Sequence, residues 1–155
     1  MYKRQIFTVV VNKNNQLLVE EELTDIKQLR SLAVDFLDNG GGSGEEFCDY
    51  CQGDRDPRSS DNPEKAIISL KNDRETEYKV YIAVQNELVA AYNVLRNREF
   101  SRLYPNEGLT YVEADLKYSD PRTSIDDKTD LKEKLDVIKA LYPQKLSEAE
   151  PSKVN

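Results

Sequence analysis

The apolar residues of this chain change period several times, and each change marks an element. Residues 6–11 (IFTVVV) are β-branched or aromatic throughout, which suits a pleated, half-buried surface and predicts a first strand. The polar run Asn12-Lys13-Asn14-Asn15 is turn chemistry, because asparagine tolerates left-handed backbone geometry. Leu17, Leu18, Val19 and Glu20 predict a second short strand, so the pair reads as a hairpin. From Asp25 the period becomes helical. Ile26, Leu29, Ala33, Phe36 and Leu37 form one stripe, and Asp25 with Gln28 makes a capping-box pattern at its start. Asn39 and Gly40-Gly41-Gly42 stop the helix, since glycine enters the left-handed region without steric cost.

Residues 66–70 (AIISL) are apolar but for Ser69 and predict a strand covered on both faces. Beyond a polar turn, Tyr78, Tyr81, Ile82, Leu88, Val89, Tyr92 and Leu95 recur at three- and four-residue steps, the signature of a long amphipathic helix. Thr76 is its expected N-cap, and Glu77 suits the positive end of the helix dipole. Residues 96–100 (RNREF) and Tyr104-Pro105 are expected to close it. A further helix is predicted over 130–141, with Leu131, Leu135, Ile138 and Leu141 or Tyr142 on its stripe and Pro143 at its end. Gln144, Lys145, Leu146 and Ser147 predict a last short strand ahead of a polar tail at 149–155.

Two stretches fall outside this pattern and read as insertions. Residues 40–64 are a long polar excursion, unusual as a structureless loop in a compact domain. In residues 104–129, Leu109, Tyr111 and Val112 predict a short strand, whereas Ser119-Asp120-Pro121 and Asp126-Asp127 read as loop. The order is strand, strand, helix, insertion, strand, helix, insertion, helix, strand. It predicts a single α+β domain over 1–155, an open mixed β-sheet with helices packed on one face.

Composition adds limits. A chain of 155 residues is long enough to bury roughly 70% of its unfolded surface. Only 38% of it is hydrophobic and 33% is charged, so part of the chain is expected to be solvated loop. The net charge of −7, with no basic run, argues against nucleic acid, which demands clustered Lys and Arg. No apolar stretch reaches the ~18 residues that span a bilayer. The chain moves straight from Met1-Tyr2-Lys3-Arg4 into its first strand, which reads as a domain taken from something longer.

Cys48-x-x-Cys51 is the one chemically loaded spacing. A redox pair would sit at a helix start beside a strand, whereas this pair lies in a Gly-rich acidic loop whose carboxylates raise a thiol pKa. A zinc site needs four ligands, and the chain has no His and no third Cys, so only a shared dimer site or carboxylates would complete it. A local disulfide or two inert thiols is the preferred alternative. The acidic runs Asp126-Asp127 and Glu20-Glu21-Glu22 read as solvated surface, because the calcium-loop pattern is absent. Ser and Thr lack a histidine base, and Gly40-Gly41-Gly42-Ser43-Gly44 follows a helix and lacks the lysine of a phosphate loop. Tyr78, Tyr81 and Tyr92 read as core rather than as a binding groove. No catalytic residue, metal or cofactor is expected.

Several stretches resemble the periplasmic domain of the ExbD/TolR family, in the form associated with Bacteroidetes-type chains. They are residues 6–12 (IFTVVVN), 14–20 (NNQLLVE), 25–30 (DIKQLR), 68–74 (ISLKNDR), 81–92 (YIAVQNELVAAY) and 142–151 (YPQKLSEAEP). The element order, hairpin, helix, strand, helix, final strand, is also similar to the family's. The resemblance implies a non-enzymatic biopolymer-transport component on the periplasmic side of the inner membrane, preceded by a single membrane helix that this chain lacks. It implies an ExbB- or TolQ-like channel partner driven by proton-motive force, a TonB- or TolA-like output partner, and a homodimer. TolR-like members also contact peptidoglycan. The family accepts an extended partner segment by strand addition at a sheet edge. The edges expected to serve are Leu17, Leu18, Val19 and Glu20, or Gln144, Lys145, Leu146 and Ser147. The two insertions and the Cys48–Cys51 pair depart from the compact family domain.

Overall fold

Residues 4–149 are described by a computed structural model, so the tail beyond Ala149 lies outside the described residues. They group into two units, one formed by residues 4–91 with 145–149, the other by residues 92–144. The first unit holds a five-stranded mixed sheet of order β3-β2-β1-β4-β5. Its centre, β1 (Ile6–Val11), runs antiparallel to β2 (Leu17–Val19) and parallel to β4 (Ile67–Asn72). β3 (Glu22–Leu23) pairs antiparallel outside β2, and β5 (Leu146–Glu148) pairs parallel outside β4.

Register and burial agree with the period-two pattern. Phe7, Val9 and Val11 are buried on the same face as Leu17, Val19, Ile68 and Leu70, with Val9 opposite both Val19 and Leu70. The rest of this core comes from Leu29, Ala33, Phe36 and Leu37 of α1 (Ile26–Leu37) and from Val84, Leu88 and Ala91 of α2 (Tyr78–Leu103). The rings of Phe7 and Phe36 stand 5.2 Å apart. On the other face Ile6 and Ile67, paired in register, are 50% and 37% exposed. The strand at 66–70 is therefore not covered on both faces. A short apolar run fits one covered face or two, and periodicity cannot separate them.

Helix starts follow local chemistry, with corrections. The Asp25 side chain accepts from the Lys27 N–H at 2.9 Å, whereas the Gln28 N–H donates to the Asp25 main-chain carbonyl. Thr76 does not cap α2. Its hydroxyl donates to the carbonyls of Val11 and Asn12, and the Asn15 side chain accepts from the Glu77 N–H at 2.8 Å. Tyr78 falls off the helix stripe and is 78% exposed, while Val84 and Ala91 belong to it. α2 also continues through residues 96–100 to Leu103.

β3 has no signal in the sequence. It arises from a two-residue turn in which Glu20 and Glu21 both take positive φ, 52° and 71°. That geometry is the hairpin turn normally written Asn-Gly, so a Glu-Glu pair hides it.

Residues 40–64 are not solvated loop. Cys48, Cys51, Ser60 and Pro63 are buried, and polar groups hold the segment against α1. The Asn39 side chain donates to the carbonyls of Asp56 (2.9 Å) and Ser60 (2.8 Å) and accepts from the Asp56 N–H (3.1 Å). Arg55 donates to the carbonyls of Gly40, Cys48 and Cys51. The Ser60 hydroxyl donates to the Phe36 carbonyl. Gly40 has φ 65°, and a Cβ there would lie 2.7 Å from the Cys51 Cβ, so glycine is required twice over.

In the second unit, Thr110 and Glu113 form a capping box that starts α3 (Tyr111–Ser119), where a strand was expected. The alternation of Leu109, Tyr111 and Val112 is too short to outweigh that cap. α4 (Ile125–Leu141) starts at the Ser124 N-cap, so Asp126 and Asp127 lie in its first turn at the positive dipole end rather than in a loop. Phe100, Tyr111, Ala114, Leu131, Leu135 and Ile138 form this unit's core. Arg96 is buried beside it, donating to the Tyr142 carbonyl from Nε (3.0 Å) and Nη2 (2.9 Å). Glu99, fully buried, is paired by Arg98 and Arg102.

Candidate functional site

β5 is built from the residues after Pro143 and is the outermost strand on its side of the sheet. The Lys145 carbonyl accepts from the Ile68 N–H at 3.0 Å, and the Ala149 N–H donates to the Leu70 carbonyl at 3.1 Å. Bonding in a parallel ladder alternates sides residue by residue. Leu146 and Glu148 therefore turn their N–H and C=O groups to the open edge. Gln144 and Lys145, expected in the strand, precede it.

The opposite expected edge, Leu17, Leu18, Val19 and Glu20, is not an edge. β3 lies outside it, pairing Leu18 with Leu23 and Val19 with Glu22. β3 is itself two residues long, which leaves little backbone for a further strand.

Side chains around β5 give it a character of its own. Leu146 and Glu148 are in register with Ile68 and Leu70, on the helix-covered face. The Glu148 carboxylate accepts from the Gln85 side chain and meets the Tyr81 hydroxyl. Burial, then Glu148, pushes the Tyr81 phenol above its ordinary range. Beyond the strand's end lies a pocket of about 330 Å³, lined by Asn72, Arg74, Thr76, Tyr78, Tyr81 and Ala149. Tyr78 and Tyr81 thus serve this pocket's wall rather than the core, whereas Tyr92 is core, 1% exposed. The pocket's parts are scattered through the sequence, and the exposure of Tyr78 in the helix's first turn carries no periodic signal.

The other candidates differ in kind. Cys48 and Cys51 form a disulfide with Cα atoms 5.5 Å apart, and both are buried. A sulfur in that bond offers no thiolate to a metal or an electrophile. A second cleft, of about 350 Å³, includes Arg4, Glu20, Asp35, Asp54 and Asp56 in its walls. Partial burial, then Asp54 and Asp38, raises the Asp35 carboxyl although much of that side chain meets solvent. Glu20 accepts from the Thr8 N–H and stands 3.7 Å from Arg4. Among the described residues no group of three or more His, Cys, Asp or Glu is placed to hold a metal ion, and no helix is long and apolar enough to cross a membrane.

In comparison with known proteins, no protein-family model and no curated protein matches the chain.

Proposed function

We propose that the chain is a non-enzymatic binding domain of the ExbD/TolR kind, which receives an extended partner segment as a new strand along β5. One observation carries the reading: the sheet ends on a strand whose Leu146 and Glu148 backbone groups face outward. Such groups supply affinity in strand addition, while adjacent pockets supply choice of side chain. The element order on either side of β1 and β4, with the sheet closed by a strand from the far end of the chain, supports the family reading.

In this reading the domain works on the periplasmic side of the inner membrane. The added strand belongs to a TonB- or TolA-like protein, and an ExbB- or TolQ-like channel supplies the drive. A homodimer goes with it, and exposed Ile6 and Ile67 give the outer sheet face apolar surface for a second copy.

Leu146→Pro tests the edge. Proline removes an N–H that points away from β4, so the sheet keeps its own bonds and the edge loses a donor. The variant is expected to remain folded and to lose at least tenfold in affinity for a peptide from the periplasmic stretch of a TonB-like protein. Unchanged affinity in the folded variant overturns the use of this edge.

A further inference from the structure

The pocket at the end of β5 contains polar groups that the fold leaves unused. Asn72 in its wall is 8% exposed, and its Nδ2 donates to the Asp73 carbonyl at 3.2 Å. Among the described residues its Oδ1 accepts no hydrogen bond. Arg74 is exposed and makes neither a hydrogen bond nor an ion pair among the described residues, and no other charged residue among them lines the pocket. The Thr76 hydroxyl gives its proton to the carbonyls of Val11 and Asn12. Glu148 is not part of the lining, and its carboxylate is engaged by Gln85 and Tyr81. Tyr78 is the first residue of α2, so the pocket also meets the positive end of that helix dipole, which favours an anion. The carboxylate beside it, Glu77, is paired with Lys79 at 3.5 Å.

We infer that this pocket binds an apolar amino-acid unit bearing a free α-carboxylate, either the last residue of a peptide chain or a lone N-acylated amino acid. The carboxylate pairs with Arg74, the N–H of the unit donates to Asn72 Oδ1, and the apolar side chain lies against the rings of Tyr78 and Tyr81. Each part of the ligand answers a property of the wall. A guanidinium fork matches a carboxylate in shape and charge. A buried amide oxygen that lacks a donor selects an N–H, because leaving it unpaired costs binding. The phenol rings supply apolar contact area. A volume of about 330 Å³ is at the small end for a ligand pocket and suits one residue rather than a longer segment. The site goes beyond strand addition along β5 and does not depend on it.

The test titrates the whole chain, isotope-labelled, with N-acetylphenylalanine, its primary amide and its N-methyl form. The acid is expected to bind with a Kd on the order of 1 mM, ordinary for a ligand of this size, and to shift residues 72–81 and 149. An exposed ion pair is modest, so the primary amide should bind about fivefold more weakly at low salt, and salt at about 0.5 M should erase the difference. The N-methyl form lacks the N–H and should bind about threefold or more weakly. Arg74→Gln should bring the acid down to the level of the amide; Arg74 is exposed, so the variant keeps its fold, which its amide spectrum checks. A peptide ending in the same phenylalanine separates the two sources: tighter binding than the lone acid assigns the site to a chain terminus, equal binding to the amino acid itself, and both support the pocket. Equal affinity of the acid and its amide, unchanged acid affinity in the folded Arg74→Gln variant, or no shift of the pocket residues at about twentyfold the expected Kd overturns the site and leaves strand addition standing. Equal affinity of the N-methyl form overturns the part given to Asn72.

Discussion

Asn39→Ala is the sharpest probe of what holds residues 40–64 in place. Asn39 is 4% exposed and makes three hydrogen bonds to main chain, two to carbonyls and one from an N–H. The losses are unequal. The Ser60 carbonyl keeps the Gly41 N–H, and the Asp56 carbonyl keeps the Ser59 N–H. The Asp56 N–H has Asn39 as its acceptor and is orphaned. Two ordinary bonds at about 1 kcal/mol each, with an unsatisfied donor costing about 1–3 kcal/mol, give a loss of about 3–5 kcal/mol. With a urea slope of about 2 kcal/mol/M, the midpoint should fall by about 1.5–2.5 M at unchanged slope. Amide hydrogen exchange at Asp56 should accelerate well before global unfolding. Asn39→Asp keeps an acceptor for the Asp56 N–H but turns a carboxylate toward two carbonyls, so it should fall at least as far. A loss under about 0.5 kcal/mol in Asn39→Ala, typical of a surface change, would refute the claim that this side chain organises the segment.

Further outcomes follow from the same geometry. Replacing Cys48 and Cys51 by serine removes a bridge of sequence separation 3; the chain-entropy relation gives a loss of about 2 kcal/mol, and a reducing agent should lower the wild-type urea midpoint but not the variant's. Glu21→Gly relieves a left-handed residue and should raise stability by about 0.5–1 kcal/mol in urea, the relief exceeding glycine's entropic cost; a lower midpoint would contradict the hairpin-turn geometry. Asp35 carries a carboxyl pKa raised in the folded state, so its ionisation opposes folding above that pKa and the opposition is lost as pH falls through it. Asp35→Asn is therefore expected to raise the urea midpoint at pH 7 and to match wild type in acid below the carboxylate range. An equal gain at both pH values would show that charge is not the cause.

The mixed sheet was legible because its strands carry their own signals. β-branched runs made β1 and β4 visible, and the helical period of Leu29, Ala33, Phe36 and Leu37 marked α1. The failures share a cause: the deciding interaction was non-local or conformational. Glu20 and Glu21 adopt turn angles that their identity does not encode, so the sequence carries no sign of β3 and β2 reads as an edge. The 40–64 segment is ordered by Asn39, Arg55 and Ser60 bonding to main chain, and hydrophobic periodicity is blind to polar staples. Thr76 had the right chemistry for a cap, but carbonyls of the β1 hairpin claimed its hydroxyl. Around the candidate site, Leu146 and Ser147 were placed in an edge strand from sequence. Arg74 and Tyr78 joined them only through the fold, since a residue far along the chain, Ala149, closes the pocket they line.

The central claim is that β5 is a receiving edge, and an amide-shift titration of the labelled chain with an extended peptide from a TonB-like protein tests it most directly. The account predicts shifts concentrated at residues 145–149, at the facing β4 residues 68–70 and at Tyr78 and Tyr81 beside the pocket. Absence of shifts at millimolar peptide with the protein folded, or shifts confined to Glu22–Leu23 at the opposite end of the sheet, would contradict it.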